Sequence, residues 1–164
     1  MTLPDVLKTG LKVIFCGTAV GERSAKCGYY YAGPGNSFWL ILKKLGLIQE
    51  SFQPERFLEL PKYGIGLTDL VKVRSANDQK LKTADFDVTG FQAKIQKFAP
   101  EVLAFNGKKA AKVFLSRSVI YGLQKEQIGD TFIFVLPSTS GTARGYWNEN
   151  EWVQLAKFLA TAAD

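Results

Sequence analysis

Histidine is absent from all 164 residues, so neither a histidine-based catalytic triad nor a histidine general acid operates here. Cysteine is nearly absent. Cys16 and Cys27 lack CxxC spacing and have no histidine to complete a zinc set, so no metal and no cofactor are expected. No stretch approaches the roughly 18 uninterrupted apolar residues of a membrane span. The start, MTLPDVLKTG, lacks the basic residues and apolar run of a secretion signal, so a cytoplasmic protein with no membrane partner is expected. Apolar residues at 46% and charged residues at 22% sit near globular averages, which excludes wholesale disorder and fibrous repeats. The length suits a single domain, residues 1–164, able to bury a core without staples.

Charge is present in unequal amounts: 21 basic against 15 acidic residues give +6, which favours a polyanionic partner without naming one. The most informative stretch is 11–39, LKVIFCGTAVGERSAKCGYYYAGPGNSFW. Leu11, Val13, Ile14, Phe15 and Cys16 form a nearly continuous β-prone run, as in a strand covered on both faces. Between Gly17 and Gly21 the backbone can bend so that its N–H groups point outward together, a nest for anions or carbonyl oxygens. Tyr29, Tyr30 and Tyr31 then lead through a turn-rich stretch into a helix expected over 36–45, capped by Asn36 or Ser37 and closed by Gly46.

Farther along, Gln53-Pro54-Glu55 reads as a helix start, with Pro61 as its stop. Tyr63 to Val71 reads as a short strand carrying Asp69 among apolar neighbours. Residues 72–90 lack periodicity and read as a long surface loop. Phe91, Ile95 and Phe98 share a helical face that Pro100 ends. Val102 to Phe105 is a strand, Asn106-Gly107 a turn, and Lys108 to Leu115 a helix. Phe132 to Leu136 is a buried strand followed by the small, polar run Ser138 to Arg144. Asn148 and Glu151 make a capping pair for a closing helix with Trp152, Leu155, Ala156 and Leu159 on one face. Alternating strands and helices predict a three-layer α/β/α sandwich around a mostly parallel sheet. Loops leaving the carboxyl ends of its strands then gather along one edge, where ligands bind.

Two glycine motifs fail on inspection. GTAVGERS is too short for a phosphate loop and has Glu22 where a lysine is required; GPGNSF has Phe38 where a dinucleotide fingerprint needs glycine. The chemistry left is modest: a carboxylate or amide to handle water, backbone donors for an anionic leaving group, an aromatic platform and a basic surface. Hydrolysis of an N-glycosidic bond fits, because it creates cationic character on the sugar and negative charge on the departing base.

These residues resemble the uracil-DNA glycosylase superfamily, especially its mismatch-specific uracil/thymine branch, with features of its hypoxanthine branch. VIFCGTAVG with GYYYAGPGNSFW is similar to the first motif and the base-stacking loop; GIGLTDLV, LAFNGKKA and VLPSTSGTAR are similar to later segments in the right order. The resemblance implies extrusion of a damaged base from DNA and its hydrolysis by a monofunctional enzyme, leaving an abasic site. It places Tyr31 at the base-stacking position, and Ser138 to Arg144 in the loop that enters the duplex, with Ser138, Ser140, Gly141, Thr142 and Arg144 as DNA contacts. It departs at Ala19, where the mismatch-specific pattern has a water-positioning asparagine.

Asp69 is accordingly the first choice for orienting water and stabilising the sugar cation, against a helix cap or an ordinary ion pair with Lys72 or Arg74. Asn36 is a second catalytic candidate, or else a helix cap. Thr18, Ala19, Val20 and Gly21 would hold the base carbonyls. Asn106 either presents its amide to the base or merely serves the turn before Gly107. Lys108 and Lys109 either contact phosphate or form a solvated face. The expected function is removal of uracil from DNA by a monomer. Hypoxanthine is the alternative base, and a non-catalytic binder of damaged or abasic DNA the alternative class.

Overall fold

The computed structural model describes residues 3–72 and 86–162. Five strands, β1 (Val13–Gly17), β2 (Ile65–Asp69), β3 (Val102–Asn106), β4 (Gly122–Ile128) and β5 (Thr131–Leu136), form one sheet in the order β2-β1-β3-β5-β4. All neighbours are parallel except β4, which pairs antiparallel with β5 at one edge. The other edge is shielded by the amino-terminal segment, where Val6 and Leu67 exchange backbone hydrogen bonds of 2.8 and 2.9 Å. That pairing removes an open strand edge.

Alternation along the central strands builds two cores. Val13 and Phe15 of β1, with Ala104 and Phe134, pack under α2 (Phe38–Lys44) and α5 (Glu149–Ala162); Ile14 and Cys16, with Leu103, Phe105 and Val135, pack under α3 (Val88–Phe98) and α4 (Lys108–Leu115). A strand apolar on both faces has to be covered on both, and each fully buried side chain of this size contributes about 1.5–3 kcal/mol. The three-layer sandwich follows from that requirement.

Several local expectations are corrected. Pro61 does not stop its segment, because Pro54–Tyr63 is a run of 3-10 turns. Proline's φ suits such turns and only one donor is lost; Gly64, at φ +77°, makes the stop. The supposed loop 72–90 ends earlier than expected, since the Asp87 side chain accepts from Gly90 N at 3.0 Å and starts α3 at Val88. Residues 73–85 lie outside the described residues. A short helix, α1 (Glu22–Cys27), and the polar strand β4 went unread, for neither carries a strong apolar period. Pro100 does end α3, with Ala99 left-handed at φ +46°.

Candidate active site

Gly17, Asp69, Asn106 and Leu136 all stand at carboxyl ends of parallel strands, so the loops after them meet along one edge. Register puts Gly17 directly opposite Asp69. A methyl group on Gly17 would lie 2.9 Å from Asp69 Oδ1 and 3.6 Å from the Tyr31 hydroxyl oxygen, so a carboxylate and a phenol face the same point beside the first turn. An alanine at position 17 would push on the Asp69 carboxylate.

Asp69 is only 3% exposed. Burial pushes its carboxyl up to about 6, opposed by the Lys72 ammonium and the Tyr30 hydroxyl and assisted by the charge of Asp5. Lys72 Nζ lies 3.3 Å from Asp69 Oδ2 and 3.1 Å from Asp5 Oδ1, and also donates to Leu3 O and to the Tyr30 hydroxyl. Asp5 in turn binds Lys94 at 2.8 Å and accepts from Thr68 Oγ1 at 2.8 Å, and its carboxyl is held below the usual range despite the cost of burial. The ion pair with Lys72 is therefore present, yet it engages Oδ2 and leaves Oδ1 toward Gly17 and Tyr31. Asp5 and Lys94 carried no sequence signal, because they lie 67 and 89 positions from their partners Lys72 and Asp5. Lys72 was readable as the next turn after Asp69.

Tyr31 adopts φ +58°, a left-handed backbone that costs a non-glycine residue about 1 kcal/mol or more. Its ring stacks on Phe38 at 4.0 Å and 27°, and Phe38 abuts Phe15 and Trp152 in the core. One face of Tyr31 is thus fixed by packing. Neighbouring Tyr30 is a packing residue, buried, with its hydroxyl donating to Pro4 O at 3.1 Å. Asn36 Oδ1 accepts from Phe38 N at 3.0 Å, a turn bond one position ahead of Ser37, which is the residue at the cap of α2.

Thr18 and Val20 are buried, Ala19 and Gly21 partly so, and nothing lies within 4 Å of where a Gly21 side chain would be. Among the described residues the N–H groups of 18–21 have no backbone acceptor, while Thr18 O accepts from Val71 N at 2.7 Å and ties the turn to the end of β2. The Asn106 amide is bound at both ends by Thr139: Nδ2 donates to Oγ1 at 2.9 Å and Oδ1 accepts from the backbone N at 3.0 Å. One N–H and one lone pair of that amide stay uncommitted.

The Ser138 to Arg144 segment locks against the Tyr31 loop. Ser37 N donates to Thr139 O at 3.0 Å, a methyl on Gly141 would sit 2.7 Å from Pro34 O, and a side chain at Gly35 would strike the Arg144 guanidinium. Ser138, Ser140 and Thr142 hydrogen-bond among themselves, while Thr142 and Arg144 are exposed. Tyr146, 75% exposed at the end of the same loop, escaped the sequence reading. Lys109 is exposed at the start of α4, and Lys108 places its ammonium 4.4 Å above the Tyr121 ring.

Fold and site together define an α/β/α sandwich protein with a buried carboxylate, an aromatic ring and open backbone donors at the carboxyl edge of its parallel strands. The model of the uracil DNA glycosylase superfamily matches residues 4–160, and the chain belongs to that superfamily. Among solved structures, a solution NMR structure of a "putative Uracil DNA glycosylase" from Methanosarcina acetivorans is 22% identical, with a TM-score of 0.65 over 96% of each chain. At that identity the likeness is one of fold.

Proposed function

We propose that this protein hydrolyses the N-glycosidic bond of uracil in DNA, acting as a monofunctional glycosylase. The observation that carries the reading is the convergence of Asp69 Oδ1 and Tyr31 on the Gly17 turn. The target nucleotide leaves the duplex and enters the strand-end edge, paying a few kcal/mol of unstacking. Its base lies against Tyr31, with its carbonyls toward the Thr18 to Gly21 amides, which stabilise negative charge as the bond breaks. The Asp69 carboxylate stabilises the cationic sugar and takes over the water-handling role that Ala19 has no polar group to perform. Asn36 supports this arrangement by its turn bond ahead of the helix behind Tyr31. Asn106 meets the base with its uncommitted donor and acceptor. Ser138, Ser140, Gly141, Thr142 and Arg144 occupy the gap in the duplex, and Lys108 and Lys109 contact flanking phosphates.

An oligonucleotide bearing a single uracil, incubated with the protein in EDTA and then treated with alkali, is expected to be cut at that position. Binding without cutting would replace the enzyme by a binder of damaged DNA, and cutting only at hypoxanthine would change the substrate. Raising salt from about 50 to 200 mM should weaken DNA binding tenfold or more through released counterions. A flat salt profile contradicts phosphate contact. Gly17→Ala should lower the rate of base release about 10–100-fold while costing about 1–3 kcal/mol of stability, because its methyl displaces the Asp69 carboxylate. Unchanged kinetics in that variant would show that Asp69 does not need its present position.

A further inference from the structure

Among the described residues, two buried side-chain oxygens have no hydrogen-bond partner: Glu101 Oε2, beside the amino end of β3, and the Tyr31 hydroxyl. A ring that served only as a stacking platform would need no hydroxyl, and phenylalanine would avoid the cost of burying one unpaired. The local backbone is left-handed, and the ring is clamped on Phe38, so the hydroxyl is held where it is rather than swung to solvent. The Asn106 amide acts on the phenol but makes no hydrogen bond to it, its oxygen and one N–H being held by Thr139. Across from the phenol, on the other side of the point in front of Gly17, lies Asp69 Oδ1, the carboxylate oxygen that Lys72 does not engage. These two oxygens flank the Gly17 turn, and a single ordered water bridging them would give the phenol the partner it lacks.

We infer that the Tyr31 hydroxyl and Asp69 Oδ1 together hold the hydrolytic water, making Tyr31 a catalytic residue as well as a stacking surface. The inference rests on the glycosylase reading above. The water donates one hydrogen to Asp69 Oδ1 and is fixed in direction by its second hydrogen bond, to the Tyr31 hydroxyl, which leaves an oxygen lone pair for the sugar. As that oxygen bonds to C1′, the C1′–N bond breaks and its electron pair departs with the base. The proton released by the water passes to Asp69 and from there to the base anion, so the products are a C1′ hydroxyl and a neutral base. The same pair of oxygens supplies the anchor that an asparagine at Ala19 would otherwise provide.

Tyr31→Phe keeps the ring, its stacking on Phe38 and its contact with the base, and removes only the oxygen. The expected result is a kcat about tenfold lower, with KM for uracil-containing DNA within about twofold of wild type and a melting temperature equal or higher. Wild-type kcat in the variant, or a loss confined to KM, overturns the inference while leaving the glycosylase reading intact. A second measurement is independent of turnover. A high-resolution crystal structure of the unliganded wild-type protein should show one ordered water within hydrogen-bonding distance of both oxygens, and its absence overturns the inference even in a protein that releases uracil.

Discussion

Asp69→Asn is expected to lower the single-turnover rate of base release about a thousandfold at pH 7.5, because the variant keeps the shape of the side chain but loses the negative charge opposite the developing sugar cation. Asn36→Ala in the same assay should stay within about threefold, its loss being that of one turn bond ahead of α2. Near-normal turnover in Asp69→Asn would remove Asp69 from the chemistry. The wild-type rate should also depend on pH in one direction. Since burial raises the carboxyl to about 6, the rate is expected to rise about tenfold per pH unit below that value and to level off above it. Asp69→Asn should be flat over the same range.

The linked effect on stability has the opposite sign. The folded value, about 6, lies above the ordinary aspartate value of 3.8, so between these pH values the native state holds a proton that the unfolded chain has released. The stabilising contribution is complete below 3.8 and is lost as pH rises through 6. At neutral pH the buried charge is therefore a cost, and Asp69→Asn should raise stability by about 1–3 kcal/mol in denaturant melts at pH 7.5. A variant that is slower and firmer marks Asp69 as a functional rather than a structural carboxylate.

Lys72→Met should have the largest effect on the pH profile. Among the described residues Lys72 is the cation nearest Asp69, and it also screens Asp69 from Asp5 by contacting both. Without it the rise with pH should move upward by about two units, so activity at pH 7 drops about tenfold and returns toward wild type near pH 9. Lys72→Arg should restore much of the original profile. A loss that is uniform across pH would mean that Lys72 supports the fold near the site without setting the charge on Asp69. Lys94 does not compensate, because its ammonium is spent on Asp5 at 2.8 Å.

The local code was strong where an element is apolar on a clear period. β1 and β5 were legible because both faces are buried, and α2 and α5 because their bulky residues recur at helical spacing. It was weak where tertiary pairing supplies the stability. In β4, whose sequence is GLQKEQI, only Gln124 and Ile128 are buried, and the strand exists because β5 offers it an edge. The run through Pro61 was misread for a related reason: the stop rule for proline is written for α-helices, whereas this segment uses 3-10 turns.

The amino-acid sequence by itself determined the class of fold, the order of its strand-end turns and the residue types available for chemistry. Periodicity, glycine placement and the lack of histidine are all properties of neighbouring positions or of composition. Only the tertiary structure decided which of those residues work together. Parallel register set Asp69 against Gly17, a left-handed turn and the Phe38 ring aimed the Tyr31 hydroxyl at the same point, and the fold brought Asp5 from the amino end to Lys72 and Lys94 from mid-chain to Asp5. The charge on a buried carboxylate depends on distances through space, and those are set when the layers pack.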